Sequence, residues 1–145
     1  MTAATSVCRQ RMAAALSIFY AVAGILHLTL PQPFLAITPA SVPYPETIIF
    51  LTGLCEIVGA IGLRVQRLKR LAAVALAVYA FCVFPANIKH ASDNLGAGDP
   101  TFWQWAYHLV RLPLQPVIAW TALFAGEVVT WPLRSVCANR ARYLK

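Results

Sequence analysis

Acidic side chains are scarce in this sequence. Asp and Glu number 5 in 145 residues against 12 Lys and Arg, and charged residues of both signs make up only 12%. A soluble domain spends about a quarter of its residues on charge, so an ordinary water-soluble globule is a poor fit. The four cysteines, Cys8, Cys55, Cys82 and Cys137, form no CxxC pair and no CxxCH haem attachment. There is no glycine-rich phosphate loop and no nucleophile elbow. His27, His90 and His108 fall at no recognisable metal-ligand spacing. Thiol, haem and metal chemistry therefore lack sequence support, and no intrinsic cofactor is expected.

What is abundant is apolar length. Hydrophobic residues make up 59% of the chain, and mean hydropathy is +0.65. They gather in four stretches, at about 12–30, 47–63, 71–88 and 102–131. At roughly 1.5 Å per residue each stretch crosses most or all of a ~30 Å hydrocarbon core, the second being short. Sustained alternation is missing, and backbone groups in lipid must be paired internally, so these are helices. The expectation is one all-α domain over 1–145, a transmembrane four-helix bundle. The first stretch continues through Ile25, Leu26, Leu28 and Leu30, which favours a retained first span over a cleaved signal peptide.

Basic residues set the orientation. Arg9 and Arg11 precede the first stretch, and Arg64, Arg67, Lys69 and Arg70 separate the second from the third. Arg134, Arg140, Arg142 and Lys145 follow the fourth. The alternation puts both termini and the 64–70 loop in the cytoplasm, with the other loops outside. The formal charge of +7 is then accounted for by anionic lipid at the cytoplasmic leaflet and not by nucleic acid. The first outer loop, with Pro31, Pro33, Pro39, Pro43 and Pro45, is expected to lie across the outer face, with Phe34, Leu35 and Ile37 dipping to the interface. The second, about 91–101, carries Gly96, Gly98 and Pro100 and reads as irregular. Trp103, Trp105 and Tyr107 suit the outer aromatic belt and Trp131 the inner one.

Ionisable groups inside spans are costly and point to function. Glu56 sits roughly 13 Å inward along the second span and Arg111 at a similar depth in the fourth, so a Glu56–Arg111 pair is expected. Glu127, near the cytoplasmic end, is expected to meet Arg134 or headgroup water. His27, Glu56, Asn87, His108 and Arg111 would line a cavity opening outward, with Lys89 and His90 at its rim and Gln115 on the Arg111 face. The alternative is a hydrogen-bonded network that only joins helices. Pro85 should bend the third span or free carbonyls near Phe81; Pro113 and Pro116 do likewise in the fourth. Gly53, Gly59, Ala60 and Gly62 make one side of the second span small enough for close packing.

Taken together, GLCEIVGAIGL with Glu56, FPANIKHA with Pro85, Ala86 and Asn87, RLPLQPVIAW with Arg111 to Gln115, and His27 at the first outer boundary resemble the DoxX-like family of small four-helix membrane proteins. The resemblance covers nearly the whole chain. It implies an integral-membrane bundle, and with the basic-loop pattern it implies a bacterial cytoplasmic (inner) membrane. It also implies an association with quinone-linked oxidoreductase systems. The leading expectation is a membrane subunit that binds a small lipophilic ligand such as a quinone, beside a membrane oxidoreductase partner. Two others stand beside it: a structural or assembly subunit, and a transporter of protons or a small solute acting as a homo-oligomer.

Overall fold

The computed structural model describes residues 3–40, 42–96 and 98–130. It is all-α, with five helices: α1 (Ala3–Thr29), α2 (Gln32–Ala36), α3 (Pro45–Arg64), α4 (Lys69–Gly96) and α5 (Phe102–Ala125). Among the described residues, α1, α3 and α4 are long and apolar enough to cross a membrane. At 24 residues α5 has the length as well, but Gln104, His108, Arg111 and Gln115 dilute its apolar character. The fold is consistent with a multi-spanning membrane protein. Large side chains face outward along the helices, with Val58, Leu71 and Phe81 being 68%, 69% and 76% exposed. In water such a surface would be a serious liability; in lipid it is the solvent-facing side.

Several boundaries differ from the sequence expectation. α1 begins near residue 3 and not 12, because no Pro or Gly interrupts the preceding turns, and Arg9 and Arg11 lie inside the helix. α4 continues past Pro85 to Gly96, so most of the expected irregular loop is helical. A proline removes one backbone donor, and the turns beyond it are supported by the Lys89–Asp93 ion pair at 2.7 Å, an i,i+4 contact. α5 ends at Ala125, with Gly126 as its C-cap, and Trp131, Arg134 and Cys137 lie outside the described residues. Its start is fixed by a capping box: Gln104 N donates to Thr101 Oγ1, and Thr101 N donates to Gln104 Oε1 at 2.7 Å.

The core is built from small residues. Ala13, Ala60, Ala72, Ala73, Ala122 and Ala125 make up much of it, with Leu16, Tyr20, Leu63 and Leu76 as the bulk. α1 packs against α3, α3 against α4, and α4 against α5. Glycines set the closest approaches. A methyl group added at Gly24 would fall 2.7 Å from Gly53 O, and one at Gly53 would fall 2.9 Å from His27 Cβ. On its other side α3 meets α4 where a methyl at Gly62 would fall 2.7 Å from Ala72 Cβ. Backbone-to-backbone approach of this kind is how apolar helices gain packing energy in lipid.

The end carrying the Val65–Leu68 turn is held by charge. Lys69, buried, pairs with Glu127 at 3.2 Å, so Glu127 meets a lysine on α4; the expected contact with Arg134 lies outside the described residues. Arg9 is buried too. It donates to Val129 O at 3.0 Å and lies over the Phe124 ring at 4.7 Å. One of the arginines read as a leaflet anchor is thus a link between α1 and the segment after α5.

Replacing Gly53 by Val should lower stability by about 1–3 kcal/mol through overpacking against α1. Ile61→Val on the lipid-facing side should stay within about 0.5 kcal/mol. Thermal unfolding in mild detergent checks both, and equal effects would show that the α1–α3 approach is not tight.

Candidate functional site

The opposite end of the bundle, where the α2 loop and the α4–α5 turn lie, contains a partly open cavity of about 410 Å³. That is within the ~300–1,000 Å³ range of small-molecule sites. Each helix lends it one face at helical spacing: Tyr20, Ala23 and His27 from α1, Ile49, Thr52 and Glu56 from α3, Tyr79, Val83, Ala86, Asn87 and His90 from α4, and Arg111, Gln115 and Ile118 from α5. The walls are mostly apolar, with polar groups in two clusters.

The first cluster centres on Glu56, which is buried on α3. His27 Nδ1 lies 2.7 Å from its Oε2, in a hydrogen-bonded pair. Tyr79 O–H donates to its Oε1 at 2.9 Å. Three helices therefore meet on one carboxyl group. The Gly24–Gly53 approach makes this geometry available, since His27 follows Gly24 by one turn and Glu56 follows Gly53 by the same interval. Tyr20 packs edge-on against Tyr79, with ring centroids 6.3 Å apart, and closes the inner side.

The second cluster centres on Arg111. Its Nη2 donates to Asn87 Oδ1 at 2.7 Å and its Nη1 to Tyr107 Oη at 2.8 Å. Asn87 Nδ2 donates to Gln115 Oε1 at 3.1 Å, and Gln115 Nε2 donates to Ala80 O at 2.8 Å. Pro85 removes the amide that would pair with Phe81 O, and the side chain here reaches the carbonyl one residue earlier.

The expected Glu56–Arg111 pair does not form. Glu56 takes its partners from α1 and α4, whereas Arg111 takes neutral partners from α4 and its own helix; both groups face the same cavity from different walls. Of the residues singled out from sequence, His27, Glu56, Asn87, His90, Arg111 and Gln115 line it. Lys89 does not: it points to the surface and pairs with Asp93. Nor does His108. It is buried behind His90, at a ring distance of 4.9 Å, and neither of its ring nitrogens has a hydrogen-bond partner among the described residues.

Tyr79 and Phe34 went unrecognised in the sequence. Tyr79 falls inside an apolar run, yet it stands two turns before Asn87 on the same face, and that spacing was the available signal. Phe34 was expected at the lipid interface. It rests on the His27 ring, with centroids 3.9 Å apart, and with Ile37 it lines the cavity from the α2 side. Among the described residues no group of three or more His, Cys, Asp and Glu side chains is arranged to hold a metal ion.

The family model of a domain of unknown function, DUF8561, matches residues 16–125. That interval contains every residue lining the cavity. No curated protein and no solved structure matches the chain. On a match that covers most of its length, from the second half of α1 to the end of α5, the chain belongs to the DUF8561 family.

Proposed function

We propose that the cavity binds a small lipophilic ligand, in a bundle whose α1, α3, α4 and α5 all cross the membrane. The observation that carries this reading is a partly open cavity with two separate polar clusters on otherwise apolar walls. Such a site takes an apolar body and fixes it by one or two oxygen atoms. Both termini lie on the cytoplasmic side, since Arg9, Arg11, Arg64, Arg67, Lys69 and Arg70 gather at the end away from the cavity. The cavity then faces the outer half of a bacterial inner membrane, roofed by α2. A quinone meets these demands, its ring on the apolar walls and its oxygens accepting from Arg111 or Gln115. On this reading, in keeping with the resemblance to DoxX-like proteins, the chain serves as the ligand-holding subunit of a quinone-linked oxidoreductase.

One observation favours a second reading. Every hydrogen bond of the Glu56 cluster joins two different helices, so the cluster braces the bundle whether or not a ligand enters. A structural or assembly subunit would need no more.

Native mass spectrometry from nanodiscs, followed by organic extraction, separates the two. Ligand binding predicts a stoichiometric lipophile that Ala86→Trp, which fills the cavity, expels with at least a tenfold loss of occupancy. An empty cavity with a stable protein partner sinks the ligand reading and supports assembly. For orientation, in a background without cysteine, Asp99→Cys should react with a membrane-impermeant maleimide on intact cells while Gln66→Cys should not. The reverse pattern would invert the topology.

A further inference from the structure

The chain's five acidic residues are Glu46, Glu56, Asp93, Asp99 and Glu127. Asp93 is paired with Lys89, and Glu127 with Lys69 at the far end of the bundle. Glu46 and Asp99 are exposed and do not line the cavity. Glu56 does line it, but its two oxygens are engaged by His27 and Tyr79. Arg111 is left facing the cavity with a neutral amide and a phenol as its hydrogen-bond partners, and no carboxylate within ion-pair distance among the described residues. An arginine at membrane depth is costly until an opposite charge meets it.

The guanidinium is also held still. Asn87 orients it, Gln115 orients Asn87, and the Ala80 carbonyl orients Gln115, a chain of hydrogen bonds from α4 to α5 and back. The Asn87 and Tyr107 bonds use only part of a five-donor fork. What remains of the fork suits a planar carboxylate or a phosphate, which take two parallel N–H bonds from arginine. The adjoining wall, with Val83, Leu114 and Ile118, is apolar.

Building on the lipophile reading above, the geometry points to an anionic amphiphile as the occupant: one carboxylate or phosphate-monoester head on Arg111, with a single apolar tail along the α4–α5 wall. A neutral quinone would accept a hydrogen bond from Arg111 and leave its charge uncompensated. The anion supplies the counter-charge that the protein withholds.

Equilibrium dialysis of radiolabelled decanoate, decyl phosphate, methyl decanoate and a short-chain quinone into zwitterionic nanodiscs tests this, with empty nanodiscs as the partition control. Decanoate or decyl phosphate should bind at least tenfold more tightly than methyl decanoate, and the tighter anion names the head group. Arg111→Gln should erase that preference, Arg111→Lys should keep part of it, and Ala86→Trp should abolish binding of all four. If the Gln variant fails to fold, the Lys variant decides: a planar-fork site loses affinity for the anions and not for the ester. Equal binding of anions and neutral ligands overturns the anionic head while the lipophile site stands. An anion preference that persists without Arg111 also overturns it. No binding above the empty-disc control by any of the four removes both readings.

Discussion

Everything at the cavity end depends on the carboxyl group of Glu56. It is buried, and it is reached by His27 from α1 and by Tyr79 from α4. A buried carboxyl group without partners would be strongly destabilising, so its two contacts fix how α1, α3 and α4 sit relative to one another. The contacts need close helices, and Gly24 and Gly53 provide the approach. A larger residue at either glycine would push His27 away from Glu56 before it altered any polar chemistry. Packing and polarity here are one constraint: small residues at one turn place the polar pair at the next.

The same economy governs the surface. In lipid, apolar side chains have no reason to turn inward, and the interior must be filled by small residues and hydrogen bonds. The alanine-rich core and the exposed Val58, Leu71 and Phe81 are two sides of that rule. Few acidic residues are available, and the structure places two of them where each meets a basic group from another helix: Glu56 with His27, and Glu127 with Lys69. Both pairs tie segments distant in sequence, α1 to α3 and α4 to the turn after α5. Their positions, one towards each end, hold the bundle against splaying.

Much of this was legible in the residues. The apolar stretches gave the long helices because lipid forces the backbone to pair with itself, and the glycine side of α3 was visible as a small-residue stripe. Six of the eight polar residues singled out meet at the cavity, because depth along a helix follows from counting at 1.5 Å per residue. Partner choice was not legible. Depth says nothing about azimuth, so Glu56 and Arg111 could share a level and still face different neighbours. His108 illustrates the same limit: it is three residues before Arg111, yet it turns behind His90 and away from the cavity. The contact of Phe34 with His27 was not legible for another reason, since a short proline-rich loop carries no periodicity from which a facing direction can be read. The continuation of α4 beyond Pro85 was obscured by glycines that only end the helix.

The two polar clusters differ in kind, and that difference bears on whether the site is only structural. The Glu56 cluster is self-sufficient: both carboxyl oxygens have partners, and each bond crosses between helices. Bracing accounts for it fully. The Arg111 cluster is not self-sufficient. Its Asn87–Gln115 bond already joins α4 to α5 with neutral groups, and Arg111 adds a second such bond, to Asn87, together with a charge that no carboxylate among the described residues balances. On the proposal of an anionic ligand the opposite charge comes from outside the protein, and Arg111 is among the residues that line the cavity.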